Sequence, residues 1–340
     1  MYIPLYTKYR PQSFEEITEQ KEVTEILLNQ ISSGKIRNSY LFVGASGVGK
    51  TTLARILSKV INKGSAGIIE MDAASNNSVD DVRAILSESN YMALDAEYKI
   101  YIMDEVHMFS NGAWNSMLKT LEEPPAKTIF MLCTTDPQKI PDTILNRVQR
   151  FDLTRISYKG IVDRLRYIVD NEMKDRSITV SDDSIEYIAK LANGGMRDAI
   201  TMLDKCMSYK DNIVLEDVVK ILGSVDYTLL FNLFFEMYNC NEKQVIEIVE
   251  GIYNSGSDLK LFVTQYSNFL SDLCKYKLFG NCDYINIPNI FKESLDRAKN
   301  SDSEVLKKML SRMTELKREV KYESLVLPIV ETELLLLSRE

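Results

Sequence analysis

At 340 residues, of which 45% are hydrophobic and 26% charged, the chain has room for two or three ordinary domains and the composition of a globular protein. Its formal net charge of −8 excludes a surface that is basic throughout, so any nucleic-acid contact has to come from a local patch. No stretch approaches the roughly 18 consecutive apolar residues of a membrane span. Met1-Tyr2-Ile3-Pro4-Leu5 runs into Lys8 and Arg10 without a cleavage site, so a cytoplasmic location with no membrane partner is expected. The five cysteines, at 133, 206, 240, 274 and 282, are odd in number and form no C-x-x-C pair, and they read as reduced core residues, not metal ligands.

Short apolar runs at Ser39–Val43, Gly67–Met71, Lys99–Met103, Thr128–Cys133 and Arg150–Leu153 alternate with helix-like stretches. That pattern predicts a parallel sheet covered by helices on both faces, an α/β nucleotide-binding domain over residues 1–155. After Leu153 the apolar residues recur at helical spacing, at Ile161, Val162, Leu165, Ile168, Val169, then Ile185, Ile188, Ala189, Ala192, then Ala199, Ile200, Leu203. A bundle of three helices is expected over 156–222. Ile221-Leu222-Gly223-Ser224 reads as a linker, which puts a domain boundary near residue 223. Residues 223–340 read as helical throughout, with stripes such as Val245, Ile248, Val249, Ile252 and Leu259, Phe262, Tyr266, Phe269, Leu273, and Val305, Met309, Met313, Leu316. These Met and aromatic stripes fit core or subunit interface and carry no catalytic motif.

Gly44-Ala45-Ser46-Gly47-Val48-Gly49-Lys50-Thr51 fits G-x-x-x-x-G-K-[ST] at every fixed position, between the apolar run Tyr40–Val43 and the helix-like Thr52–Val60. Glycines let such a loop curl so that successive N–H groups and the following helix N-terminus face one anion. Lys50 is then expected at the β- and γ-phosphates of a nucleoside triphosphate, and Thr51 on Mg²⁺. Ile100-Tyr101-Ile102-Met103-Asp104-Glu105 is an apolar strand ending in two carboxylates, 54 positions after Lys50, and fits a Walker B segment. Asp104 would hold Mg²⁺, and Glu105 would activate water, the arrangement of a hydrolase and not of a kinase. His107, the only histidine, has no cysteine neighbours and is not expected to bind metal.

Four further segments occur in order: Tyr6-Thr7-Lys8-Tyr9-Arg10-Pro11-Gln12-Ser13-Phe14, Asp104-Glu105-Val106-His107-Met108, Leu118-Lys119-Thr120-Leu121-Glu122-Glu123-Pro124-Pro125 and Thr134-Thr135-Asp136-Pro137-Gln138-Lys139. With them the chain resembles clamp loader ATPases of the AAA+ class, nearest the gamma/tau subunit of bacterial DNA polymerase III and related to replication factor C. The likeness is dense from residue 6 to about 205 and weaker through Leu259–Leu273 and Leu306–Leu337. It implies a P-loop AAA+ domain, a three-helix lid and an all-α collar that assembles a ring-like pentamer with other loader subunits. ATP binding would open a sliding clamp, and primed-template DNA, accepted without regard to sequence, would trigger hydrolysis and release.

Residue by residue, the resemblance places Tyr9, Arg10 and Pro11 at the nucleotide with Gly44 to Thr52, makes Thr135 the sensor beside the Walker B strand with Thr134 as second candidate, and makes Arg197 of Gly195-Met196-Arg197-Asp198-Ala199 the sensor of the lid. Arg147 of Asn146-Arg147-Val148 stands where the family usually has Ser-Arg-Cys, whose arginine reaches the ATP of a neighbouring subunit. Such a cation contributes about 10³ to 10⁵ in rate in related phosphoryl transfers. Asn76-Asn77-Ser78-Val79-Asp80-Asp81-Val82-Arg83 is similar to a DNA-facing helix, with Arg83 and Lys139 as candidate phosphate contacts. The region Met108–Leu118 would face the clamp.

Cellular relatives carry a four-cysteine zinc module where Lys59–Ile68 has no cysteine, so no zinc is expected. The short insert and the end at Glu340 suggest a compact, phage-encoded relative acting in an infected host or bacterial cell. Two rival readings are a DNA motor of the branch-migration helicase type and a non-hydrolysing structural subunit of the loader. The Leu121–Pro125 segment and the helical C-terminal region count against the first, and intact Lys50, Thr51, Asp104 and Glu105 against the second.

Overall fold

In the computed structural model, which describes residues 2–338 apart from 90, 92, 94, 176, 177, 223–226, 283 and 284, the five apolar runs are strands of one parallel sheet. The boundary expected at residue 223 lies outside the described residues. The strands are β1 (Ser39–Val43), β2 (Ile68–Asp72), β3 (Lys99–Asp104), β4 (Thr128–Thr134) and β5 (Gln149–Asp152), in the order β2-β3-β4-β1-β5. The α-helices as far as Asp175 are α1 (Leu5–Lys8), α2 (Lys21–Ser32), α3 (Lys50–Ile61), α4 (Val79–Ser89), α5 (Asn111–Glu122), α6 (Asp142–Leu145) and α7 (Tyr158–Asp175). They are followed by α8 (Asp182–Leu191), α9 (Met196–Met207), α10 (Leu215–Leu222), α11 (Tyr227–Tyr238), α12 (Glu242–Asn254), α13 (Leu259–Phe279), α14 (Lys292–Lys299), α15 (Ser303–Glu319) and α16 (Val326–Ser338).

The chain divides into two compact units: one runs to Ile168 and includes Ala192–Asp204, and the other is made of Val169–Leu191 and the chain from Lys205. In the first unit, β1 and β4 are buried along their whole length, which is why they read as continuous apolar runs and not as alternating patterns. Their side chains still alternate between two cores. Tyr40, Phe42, Ile100, Ile102 and Met131 pack with Leu53, Ile56 and Leu57 of α3. Leu41, Val43, Tyr101, Met103 and Phe130 pack with Trp114 and Met117 of α5 on the other face. Phe42 lies opposite Phe151 in the β1–β5 register, and their rings stack 5.8 Å apart. Ser110 starts α5 by accepting a hydrogen bond from the Ala113 N–H at 3.3 Å.

Among its described residues the regular structure of the second unit is helical apart from a parallel pairing of Thr179–Val180 with Asn212–Ile213, a two-residue ladder too short for an apolar-run signal. Leu259, Phe262, Tyr266, Phe269 and Leu273 are all buried along α13, and Met309, Met313 and Leu316 along α15, as the helical spacing requires. Aromatic rings join the helices: Phe231 meets Phe269 edge-on at 4.9 Å, and Tyr227 meets Tyr187 at 6.1 Å. Arg312 of α15 donates to both carboxylate oxygens of Glu333 on α16, at 2.9 and 2.7 Å. Among the described residues no single helix is long and apolar enough to cross a membrane.

Candidate active site

The phosphate-loop segment Gly44–Thr51 joins β1 to α3 and includes the first two residues of that helix, and its glycines serve different local needs. Gly47 and Gly49 have φ of +74° and +107°, backbone conformations that side-chain-bearing residues rarely adopt. Gly44 is needed for space: a Cβ there would lie 2.9 Å from the Leu153 carbonyl oxygen and 3.0 Å from Val48 Cγ2. The Gly44 N–H donates to the Thr134 carbonyl at 3.2 Å, and the Leu153 N–H to the Val43 carbonyl at 2.7 Å, so the loop springs from between the ends of β4 and β5. On its outer side the Gly47 carbonyl accepts from the Met196 and Arg197 N–H groups at the start of α9, at 3.1 and 3.4 Å.

Four residues expected to carry the chemistry converge here. Lys50 is buried, and its ammonium donates to the carbonyls of Gly44 and Ala45 at 3.0 and 2.9 Å. Burial pulls it below the ordinary lysine value, and the carboxylates of Glu105 and Asp104 partly oppose that shift. The Thr51 hydroxyl donates to Asp104 Oδ2 at 2.7 Å. Glu105 follows at the end of β3 with φ of +49°, a left-handed conformation that a non-glycine residue holds only when its surroundings impose it. Its Oε2 accepts from the Thr135 hydroxyl at 3.0 Å and lies 3.3 Å from His107 Nδ1. Cys133, on β4 nearby, is fully buried, and burial pushes its thiol well above the ordinary range, so it is an inert core residue.

A cleft with about 970 Å³ of empty space, part of it open to solvent, is lined by Tyr9, Arg10, Pro11, Ser46 to Thr52, Asp104, Glu105 and Arg197. The Arg197 guanidinium lies 5.1 Å from the centre of the Tyr6 ring, at the cleft wall. Gly44 and Ala45 stand behind the lining and face Lys50 through their carbonyls. Not all expected residues meet there. Thr135 reaches the cleft only through Glu105, and Arg147 pairs with Glu122 and donates to the Thr143 carbonyl. Arg83 and Lys139 are exposed, 3.9 Å from Asp80 and 3.4 Å from Asp136.

The sequence reading missed Ile17, Thr18, Ile156, Arg164, Met196 and Ile200, which complete the lining. Arg164 of α7 donates to the Tyr9 carbonyl at 2.8 Å, and its guanidinium lies 5.1 Å from the Tyr167 ring, fixing the amino-terminal segment beside the loop. Met196 and Ile200 could have been found, since they flank Arg197 at helical spacing; nothing in the sequence marks the others.

This sheet order, with a phosphate loop after β1, which lies between β4 and β5, and paired carboxylates at the end of β3 two places away, defines a P-loop fold of the AAA+ class. The RuvB Holliday junction branch migration motor of Thermotoga maritima has the same fold, with a TM-score of 0.50 at 20% identity over 68% of this chain and 80% of that one. The family described as DNA polymerase III, delta subunit, matches residues 66–157, and the one described as DNA polymerase III subunits gamma and tau domain III matches 213–335. The chain is 35% identical to the DNA polymerase III subunit tau of Bacillus subtilis over 94% of its own length and 60% of that protein. It is 32% identical to the DNA polymerase III subunit gamma of Buchnera aphidicola, covering 90% of this chain and 86% of that one. The chain belongs to the gamma/tau family of DNA polymerase III subunits. It spans less than two thirds of the length of the Bacillus relative and 46% of the Escherichia coli subunit tau.

Proposed function

We propose that the protein is an ATP-hydrolysing subunit of a DNA sliding-clamp loader. The observation that carries this reading is the convergence of the buried Lys50, the Thr51–Asp104 hydrogen bond at 2.7 Å and Glu105 on one cleft. AAA+ ATPases use a nucleotide and Mg²⁺, and the donors here suit both. Thr51 and Asp104 offer hard oxygen ligands of the kind Mg²⁺ prefers, and the loop N–H groups and Lys50 suit a triphosphate. The metal would supply charge stabilisation at the phosphate oxygens.

On this reading Lys50 exchanges the carbonyls of Gly44 and Ala45 for β- and γ-phosphate oxygens, and Glu105 orients and deprotonates the attacking water. Thr135 holds Glu105, Arg197 reports the γ-phosphate, and Tyr9, Arg10 and Pro11 close over the base. Residues 156–222 act as lid and 223–340 as collar of a pentameric ring with the other loader subunits. Arg147 acts on a neighbouring subunit's ATP, leaving Glu122 to do so, and Arg83 and Lys139 touch the phosphates of primed DNA. The reading includes no zinc, which elemental analysis of the purified protein tests.

The deciding experiment is steady-state ATP hydrolysis with the partner loader subunits, with and without clamp and primed-template DNA, in wild type and Arg147→Ala. Strong stimulation by clamp plus DNA, lost in Arg147→Ala, is the expected result. Indifference to the clamp with processive strand movement would point to a branch-migration motor. Failure of the full complex to bind ATP would point to a structural subunit.

A further inference from the structure

His107 lies on the short turn Val106–Met108, three residues beyond the Mg²⁺-binding candidate Asp104, and its side chain is only 13% exposed. One ring nitrogen, Nδ1, faces two oxygens at once: Thr134 Oγ1 at 3.2 Å and Glu105 Oε2 at 3.3 Å. The Thr134 hydroxyl, fully buried at the end of β4, already accepts from the Asp136 N–H at 3.0 Å. The Thr135 hydroxyl next to it donates to the same Glu105 Oε2 at 3.0 Å. Two consecutive threonines, the last residue of β4 and the one after it, therefore reach the Glu105 carboxylate, Thr135 directly and Thr134 through the imidazole.

The chemistry of the acceptors selects the position of the ring hydrogen. A carboxylate oxygen can only accept, so an approach of 3.3 Å is attractive only when Nδ1 carries the hydrogen. With the hydrogen on Nε2 instead, the bare Nδ1 lone pair would face Oε2, and only the Thr134 hydroxyl would be left to satisfy it. Glu105 also needs such a tether: its left-handed backbone, φ +49°, persists only where the surroundings impose it.

We propose that His107, carrying its hydrogen on Nδ1, is the positioning residue that, with Thr135, aligns the Glu105 carboxylate and ties it to the end of β4 through Thr134. The proposal rests on the hydrolase reading for its kinetic consequence and stands on its own for the ring. His107 does not line the cleft, so its loss leaves nucleotide binding in place while Glu105 swings out of line. Misalignment of that kind lowers kcat by about tenfold or more.

The test has two arms. Because His107 is the only histidine in the chain, protein labelled with ¹⁵N-histidine gives the ring nitrogens of one residue alone, read at a pH above the ordinary imidazole range. A protonated Nδ1 that changes its signal in Glu105→Gln is expected, and a bare Nδ1 would overturn the proposal. In the second arm, steady-state hydrolysis by the assembled complex is compared for wild type, His107→Ala, His107→Asn and His107→Gln, with ATP affinity measured in each. The asparagine amide can stand near the Nδ1 position, whereas the glutamine amide reaches to that of Nε2. The expected pattern is a loss of kcat without a change in ATP affinity in His107→Ala, largely restored in His107→Asn and not in His107→Gln. An unchanged kcat in His107→Ala, or rescue by glutamine in place of asparagine, would sink it. No turnover by wild type would refute the hydrolase reading instead, and the ring nitrogen would still decide the tether.

Discussion

Replacing Gly44 with alanine probes how tightly the phosphate loop is wedged into the sheet. The added Cβ would meet the Leu153 carbonyl oxygen at 2.9 Å, Val48 Cγ2 at 3.0 Å and Leu153 Cβ at 3.2 Å. The closest of these falls about half an ångström short of ordinary contact at 3.4 Å. The offending oxygen is backbone, and its residue is pinned by the 2.7 Å hydrogen bond from the Leu153 N–H to the Val43 carbonyl, so it cannot rotate away as a side chain would. Overpacking against atoms that cannot yield costs about 1–3 kcal/mol. Urea unfolding followed by fluorescence reads this directly, because Trp114 is the only tryptophan and is 2% exposed in the core of the first unit. The Gly44→Ala midpoint should fall with little change in slope. Displacement of the loop should also weaken nucleotide binding, by about tenfold for each 1.4 kcal/mol that binding must restore. An unchanged midpoint together with unchanged nucleotide affinity would refute the claim that Gly44 is there for space.

Gly251 gives the opposite outcome: it is exposed inside α12 with no atom within 4 Å of a would-be Cβ, so Gly251→Ala should stabilise the second unit by about 0.5–1 kcal/mol in calorimetry. Asp272 is buried in the same unit, and burial pushes its carboxyl above the ordinary 3.8, against the Asn286 N–H at 2.7 Å and the Lys275 ammonium at 3.0 Å. A raised acid contributes stability that is fully present below its ordinary value and is lost as pH rises through the folded value. Asp272→Asn removes that loss, so its stability relative to wild type should climb with pH across this window and level off above it. Paired thermal melts between about pH 4 and 7 check this, and a flat difference would show that the burial cost is already compensated.

The sheet was readable to within one residue at each strand end, most directly at β1, β3 and β4, which are buried on both faces, where a run of apolar side chains is the only workable pattern. Lys50, Thr51, Asp104 and Glu105 were readable because phosphate and metal chemistry fixes both their types and their spacing. Other parts had no local signal. Arg164 meets Tyr9 across 155 positions, and only the folded path of α7 brings them together. His107 looked like a lone histidine because Thr134, the partner that joins it to β4, lies 27 positions away. The ion pair of Arg147 with Glu122 spans 25 positions, so a motif centred on either residue alone does not reveal it.

The strand order also sets a timetable for synthesis. β1 pairs only with β4 and β5, placing Ser39 opposite Phe130 and Phe42 opposite Phe151. A growing chain emerges from its amino terminus, so the Gly44–Thr51 segment leaves the ribosome while both neighbours of its strand are still unmade. Until Leu153 appears, about a hundred residues later, the hydrogen bonds that join the ends of β1 and the loop to Thr134 and Leu153 cannot all form, and β1 waits as an exposed apolar segment. Chains cut short anywhere in that interval carry the complete loop sequence without both of the strands that frame it.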